Sequence, residues 1–598
     1  MLAKAFDAFH ATLASWKERF PYPTCGDAAW ENLAPERKHA LEKWAEEALE
    51  TAYPMLTATQ FMAFVRDGSR KVYEDPYFLR RRTLIGAALG YCLVPRPALL
   101  DCVVDGLWCI CEETFWGISA HNGSSHAGQT PVEQRPLPEK KNPYIDLFAA
   151  QTACTLALVV RMMEKELDNV TPVIRRRVLR ELDERIFTPF LYRDDFHWMG
   201  MIRKDLNNWT PWILSSIFMA ALAVIRDDTL LRQLFSRGLT MLDRYLDGIP
   251  EDGGCDEGPG YWNMAGGALL DCLEAVERVT GGCVTFWDQE KIRRIGAFPL
   301  HSHIAGPWYW NFADCDAKPM MDGERIYAYG RHTGNPALCA LGAAMGTPII
   351  PRDTPQMNRV LDALFRAPAP CPYPEAEKQV SLPRLQVFAR QWGTLYVACK
   401  GGHNGENHNH NDVGTFLLFH RGEPVIVDAG NMVYTAKTFS QERYTLWNTR
   451  SCNHNLPLIG GVEQAPGREH AARDVREEET QVAMDIAGAY PTEAGVRTLY
   501  RKFTFGPAFV LQDEITLTEP RKVTWAFLSR PRPQLVKGGL LLGTVQMRYD
   551  ESLSCAMEEI PVTDARMIQN FPGSLWRITL TSPPAVNVKQ AFRFVPDT

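Results

Sequence analysis

Five prolines fall between Arg366 and Pro383, in "RAPAPCPYPEAEKQVSLP" (Pro368, Pro370, Pro372, Pro374 and Pro383). Proline fixes φ and removes a backbone donor, so no regular helix runs through this stretch, and it reads as an extended spacer. The two sides of it follow different periods. Before it, "ALEKWAEEAL", "FAAQTACTLALVVRMMEKEL", "WILSSIFMAALAVI" and "GGALLDCLEAVERV" have helical length and spacing. Many are apolar on more than one face, as in helices packed in layers, and a helix-pair solenoid or toroid suits them better than a small bundle. After it, "TLYVACK", "GTFLLFHRGEPVIVDAG", "VTWAFLSRP" and "SLWRITLTS" are β-branched or aromatic and bounded by turns. "RGEP" reads as a hairpin turn. The spacing predicts an α+β multidomain chain: helices over residues 1–365, a link over 366–383, and an antiparallel β-sandwich over 384–598.

At 598 residues the chain exceeds one ordinary core, which agrees with two domains. A net charge of −7 argues against a nucleic-acid partner. The arginine runs at 80–82 and 175–177 read as solvated helix faces. "MLAKAFDAFHATLASWKERF" reads as an amphipathic helix without the apolar core and cleavage site of an export signal. No apolar run reaches the ~18 residues of a membrane span. The fifteen cysteines are scattered without a CxxC, and we expect reduced thiols in a cytoplasmic protein.

Four of the 14 histidines fall between His403 and His420, two of them one residue apart in "ENHNHND". In an extended segment i and i+2 point the same way, so His408 and His410 can face one pocket, whereas a backbone twist between them sends one to a metal and the other to a cleft. Asp428 ends "VIVD", and His454 lies in "SCNHNLPLIGG". His, Asp and His form a ligand set suited to Zn²⁺. An HxH alone is cheap, since His301 and His303 make another. A hairpin turning near Gly422 also pairs Asp428 with residues near Phe416, so His410 must reach in from a bulge or a loop.

The other clusters lie in the helical part. "EDGGCDEGPGYWNM" presents Asp252, Asp256, Glu257 and Tyr261 on an irregular, glycine-rich loop. "RKDLNNWTPW" sets Asn207, Asn208 and Trp209 before an apolar helix, as an N-cap or as an amide-and-aromatic sugar subsite. His121 follows another apolar helix, in "FWGISAHNGSSHAG".

In this order, "NNW", "DEGPGYW", "NHNHND", "VIVDAG" and "NHNLPLIGG" resemble the heparinase II/III-like polysaccharide lyases, over nearly the whole chain. The resemblance implies an incomplete (α/α) toroid followed by a β-sandwich, with the active site between them. It implies that Tyr261 and His408 are catalytic and that Asn208, or its neighbour Asn207, neutralises the substrate carboxylate. It implies that His410, Asp428 and His454 hold one structural divalent metal, zinc. Tyr434 and Tyr444 are both candidates for a further active-site tyrosine. Trp209, Trp262 and His121 are candidate substrate contacts.

Such lyases cleave uronic-acid glycans of glycosaminoglycan or alginate type by β-elimination. A base removes the C5 proton, α to the carboxylate, and O4 leaves with a proton. That proton is too weakly acidic while the carboxylate keeps its full charge, so neutral donors must stabilise the enolate-like state. A tyrosine serving as both acid and base needs a lowered pKa. The expected partner is an acidic oligosaccharide, with no nucleic acid and no membrane, and a homodimer stays open. The polar insertion Ala120 to Tyr144 suggests a cleft blocked at one end, hence exo action on oligosaccharides. Two other readings remain: a glycoside hydrolase using Asp252, Asp256 and Glu257, and a non-catalytic glycan-binding relative.

Overall fold

The computed structural model describes residues 1–122, 136–202, 204, 206–346, 348 and 356–597. Two layers of helices make up the first part. Leu147–Met162 and Trp209–Val224 are buried almost throughout and pack on each other. Gly266–Val279 packs on Trp209–Val224, and Lys71–Leu93 lies between Pro35–Glu50 and Pro97–Cys111. Apolar residues all round a helix mark an inner layer, and the outer helix Asp228–Gly248 buries one stripe only. The order is that of an open toroid of helix pairs.

Three expectations are corrected here. The first helix stops at Asp7, because the following carbonyls have other partners: Phe9 and Ala11 accept from Arg232. "FAAQTACTLALVVRMMEKEL" breaks at Met163 into two helices bent by 80°. The arginine run at 80–82 is not a solvated face. Arg80 and Arg81 are buried and share Glu113, at 3.0 Å and 2.5 Å. Among the described residues no single helix is long and apolar enough to cross a membrane.

Two antiparallel sheets form the second part. In one, of nine strands, the order is Ser554–Pro561, Ser574–Thr581, Val523–Ser529, Glu423–Ile426, Phe416–His420, Leu395–Lys400, Val387–Trp392 and Gln379–Leu382, with Pro457–Ile459 beside Val523–Ser529. The other has eight strands and is centred on Val496–Thr504, Phe509–Arg521 and Ala585–Pro596. The edge strand Gln379–Leu382 of the nine-stranded sheet, paired with Val387–Trp392, shows that the proline-rich link is already strand at its end. The hairpin after His420 turns on Arg421 and Gly422, with φ of 53° and 79°, the two left-handed positions that a tight hairpin requires.

Alternation explains how the parts join. Along Leu395–Lys400, Leu395, Val397 and Cys399 face the core between the sheets, whereas Tyr396 and Ala398 belong to the helical core. Phe416 and Leu418 face inward, and Leu417 and Phe419 face the helices. Strands buried on both faces carry no polar alternation, which accounts for the continuous apolar run "TFLLF". The toroid thus covers the outer face of the nine-stranded sheet. A segment after the hairpin His303–Ala305 and Trp308–Tyr309 runs along this joint: Trp310 donates to the Tyr396 hydroxyl at 2.7 Å, and Asn311 to the Asp428 carbonyl at 2.9 Å.

Candidate active site

The cleft lies along that joint. Tyr261 stands on the 3₁₀ turn Pro259–Met264, which Gly258 enters at φ 84° with the Cys315 side chain too close for any Cβ. Its hydroxyl is 3.4 Å from His408 Nδ1 and hydrogen-bonds the Tyr434 hydroxyl. Tyr434 reaches the same nitrogen at 3.3 Å. Of the two candidate tyrosines, Tyr434 is therefore the one in the cluster. Tyr444 instead donates to Asn409 Oδ1 at 2.7 Å, behind the loop.

His408 and His410 do not face one point. His408 has φ 54°, and this left-handed residue turns its ring into the cleft while His410 is fully buried. Such a conformation costs of order 1–3 kcal/mol in a non-glycine residue, and the surroundings must enforce it. Across the joint Ala313 is also left-handed, at φ 61°, and the amide of Asp314 donates to the His408 carbonyl at 3.2 Å. Asp314 then bridges the pair, with Oδ2 3.1 Å from His408 Nδ1 and Oδ1 3.0 Å from His410 Nε2. Burial opposes its charge, yet both histidines and Arg443, at 2.8 Å, hold its pKa well below the carboxylate range. Sequence reasoning missed Asp314, because "NFADCDAK" carries no motif and its partners lie about a hundred residues away.

Asn207 and Asn208 separate cleanly. Asn207 is exposed and caps the helix, accepting from the Trp209 amide at 3.1 Å. Asn208 turns inward, and its Nδ2 donates to Glu257 Oε2 at 3.0 Å. Glu257 also lies 4.0 Å from His408 Nε2. Burial pushes the Glu257 carboxyl up to about 7; His408 opposes this, while Asp256 and Asp314 add to it. Burial likewise raises Tyr261, helped by Tyr434, and raises Tyr434 itself. The expectation of a lowered tyrosine pKa is thus corrected: both phenols hold their protons, because desolvation and nearby acids outweigh any cation.

Trp209 is half-buried between His121, at 4.7 Å, and His197, at 4.8 Å. His121 is fixed by Asp146 at 2.7 Å. Trp262 is not a substrate contact. It is 1% exposed and its indole donates to Ile295 O, because a 3₁₀ turn rotates each successive side chain by ~120° away from its neighbour. Asp252 accepts from the amides of Arg384 and Leu385 at the joint, and Asp256 binds Asn407. Of those three acids only Glu257 faces the cluster, so they do not assemble the opposed pair that a hydrolase uses.

Behind His408 lies the metal-type triad. One ligand atom each from His410, Asp428 and His454 lies within 4.8 Å of the others, and all three residues are 0% exposed. His410 reaches in from the loop before Phe416–His420, and Asp428 from beyond the end of Glu423–Ile426, which resolves the register problem of the hairpin. His454 Nδ1 is 2.7 Å from Asp428 Oδ2, and its Nε2 meets the Asn448 carbonyl at 2.9 Å. His410 Nε2 is held by Asp314, leaving Nδ1 buried with no hydrogen-bond partner among the described residues. An orphaned imidazole nitrogen beside a carboxylate and a second imidazole, each backed by an outer hydrogen bond, fits a bound divalent cation. The residues are of the kind that holds zinc. Neither His301, on Glu377, nor His303, on the Gly306 carbonyl, joins a metal-type cluster among the described residues.

The family described as heparinase II/III-like, C-terminal, matches residues 384–550. No curated protein matches the chain by sequence. Among solved structures, heparinase III superposes with a TM-score of 0.63 at 12% identity, covering 96% of this chain and 87% of that one. A mutant heparan sulfate lyase HepC from Pedobacter heparinus gives 0.58 at 12%, with 98% and 93% covered. A chondroitin AC lyase mutant from Streptomyces coelicolor A3 gives 0.53 at 13%, with 100% and 83% covered. Residues 384–550 thus form a heparinase II/III-like C-terminal domain, on a chain whose toroid and sandwich share the fold of heparinase III.

Proposed function

We propose that this protein is a polysaccharide lyase that cleaves a uronic-acid glycan of the glycosaminoglycan type by β-elimination. One observation carries the reading: Tyr261, His408 and Tyr434 converge from both domains with the Asn208–Glu257 pair one contact away. A uronate bound there would set its carboxylate against the Asn208 amide. That carboxamide, with Glu257 in its protonated form, offers neutral donors to the enolate-like state. His408, steered by Asp314, takes the C5 proton. Tyr261 gives its proton to O4 as the C4–O4 bond breaks and the C4–C5 double bond forms. The raised phenols suit the acid role, and the Tyr434 hydroxyl is placed to share the charge left on Tyr261.

Bound at His410, Asp428 and His454, a zinc ion would supply structure: it would tie three loops together and fix the base of the His408 loop. The supports are the orphaned His410 nitrogen and the donor set.

Exo action on short oligosaccharides belongs to the same proposal. Most of the insertion expected to close the cleft, residues 123–135, lies outside the described residues. Its flanks, His121 and Tyr144, both adjoin the wall at Trp209, Tyr144 through His197 at 3.3 Å. A cytoplasmic location is proposed on the fifteen free thiols, and cell fractionation tests it. The test of function is ultraviolet absorbance of the conjugated uronate on a panel of uronic-acid oligosaccharides and polymers. We expect such a product, released as end units. Reducing ends without absorbance would indicate hydrolysis and overturn the reading; an early spread of mid-length fragments would overturn exo action alone.

A further inference from the structure

A second concavity, of about 750 Å³, opens where the hairpin of the helical part meets the edge of the sandwich. Its lining includes Lys318, Arg421, Arg530 and Arg532, with Trp308 and Trp576. Acid is scarce beside them. Arg421 lies 3.7 Å from Asp597, and Glu423 is the one acid in the lining. Among the described residues, Lys318, Arg530 and Arg532 form no ion pair within 4 Å. His420, also in the lining, is hydrogen-bonded to Thr544 and Thr394, and burial lowers its pKa, so it stays neutral.

The cations are placed rather than loose. Arg530 donates to the carbonyls of Ser574 and Pro572, at 2.9 Å and 2.8 Å, which fixes the guanidinium without neutralising it. The Lys318 ammonium sits 4.2 Å from the Trp308 ring centre, and Trp308 also stacks on Phe571. Arg532 is exposed and lies over the half-buried Trp576 at 5.3 Å. Partial burial and the repulsion of Arg530 pull the Lys318 pKa down, against the pull of Glu423. The cleft treats its cations differently: Arg443 pairs with Asp314 at 2.8 Å, and Arg566 with Asp316 at 2.9 Å. Like charges that converge in a concave, partly dry site without counter-charge raise the local potential, and a bound anion relieves it. Guanidinium forks match the oxygens of sulfate and carboxylate groups, and an indole offers an apolar face beside them.

We propose that this groove is an accessory binding site for an acidic oligosaccharide, with sulfate or carboxylate groups on Lys318, Arg530 and Arg532 and a sugar face on Trp576. Lys318 is four residues from Asp314, so their Cα atoms are at most about 14 Å apart. A glycan held in the groove therefore lies near the catalytic cleft. Binding here does not depend on elimination chemistry and is read without turnover, so failure of the lyase reading would leave it standing.

The experiment is calorimetric titration of the full chain, carrying Tyr261→Phe to prevent turnover. The probes are a heparin-derived tetrasaccharide, which is sulfated, and an alginate tetrasaccharide, which carries carboxylates only. We expect two binding events for at least one probe. Arg532→Glu with Lys318→Met should weaken one of them at least tenfold and leave the other, which Asn208→Ala weakens instead. The exposed single substitution Arg532→Gln, checked for an unchanged melting temperature, should weaken the same event several-fold and guards against misfolding of the double variant. Loss with both probes assigns carboxylate recognition, and loss with the sulfated probe alone assigns sulfate; both support the groove. A single binding event that the groove substitutions leave unchanged, or groove variants that bind both probes as the parent does, would overturn the proposal; a single event that they weaken supports the groove and counts against the cleft.

Discussion

The metal-type triad and the cleft cluster share one loop, yet they are built in opposite ways. His410, Asp428 and His454 all come from the β domain, are fully buried, and are backed by carbonyl and carboxylate partners. Tyr261 and His408 are 147 residues apart, come from different domains, and keep part of their surface open to the cleft. The first site draws all three ligand residues from one domain and takes only the Asp314 backing from the other. The second exists only when the joint closes. Asp314 connects them, since it touches one histidine of each. The difference separates a site that supports the fold from a site that uses it, and each substitution below probes one side of that division.

The largest expected effect lies on the cleft side. Tyr261→Phe removes only the oxygen proposed to protonate O4 and should lower kcat by ~10²–10⁴-fold. Thermal unfolding and metal content should stay at parental values. Near-normal turnover would show that another group protonates O4. Tyr434→Phe should cost less, because it removes a partner of that hydroxyl and not the hydroxyl itself.

On the triad side, Asp428→Asn leaves the buried His454 without its charged partner at 2.7 Å. Breaking a buried pair of this kind typically costs ~3–5 kcal/mol, and weakened metal binding adds to that. The variant should lose stoichiometric metal, as read by elemental analysis, and melt earlier. Activity should fall in step with the folded fraction. If chelation stopped turnover while the fold persisted, the ion would belong to the chemistry and the division between the two sites would be wrong.

These two sites were not equally legible in the sequence. The triad was, because an HxH, a carboxylate at a strand end and a histidine among asparagines carry type and position together. So was the change from period 3.6 to period 2 across the prolines. The cleft was legible only in part. Tyr261, His408 and Asn208 stood in motifs, but Asp314 lies in an aperiodic stretch and acquires its role from packing alone. Trp262 was misread because adjacency to Tyr261 in sequence means a different direction on a 3₁₀ turn. The helix break at Met163 and the short first helix reflect tertiary hydrogen bonds that override local propensity.

Glu257→Gln tests whether the cleft gives up stability for function. The parental carboxyl titrates near 7 in the fold, against an ordinary value of 4.5. A raised carboxyl contributes stability that is present below the unfolded value and lost as pH rises through the folded one. At about pH 8 the buried anion should therefore cost about 3 kcal/mol relative to glutamine. The variant should melt later than the parent at about pH 8 and show little difference at about pH 5. On the proposed mechanism the parent's kcat/KM should fall as pH rises through about 7, where Glu257 loses the proton it would offer to the substrate carboxylate. Glutamine keeps an acceptor for Asn208 and cannot ionise, so the variant should lack that limb. A parental profile flat through this range would assign Glu257 to positioning Asn208 alone.

The smallest effect should come from the cleft wall that lies wholly in the toroid. Trp209 contacts His121 and His197 and none of the groups that move protons. An aromatic face of this kind contributes ~0.5–1.5 kcal/mol beyond the area it buries, and it contributes about equally to ground and transition states. Trp209→Ala should therefore raise KM several-fold and leave kcat nearly unchanged. Steady-state kinetics on a tetrasaccharide and on polymer separates the terms. The tetrasaccharide should suffer more, since it has fewer other contacts to hold it. A fall in kcat equal to that in kcat/KM would mean that Trp209 acts only in the transition state, so that the helical wall positions the reacting ring as well as holding it.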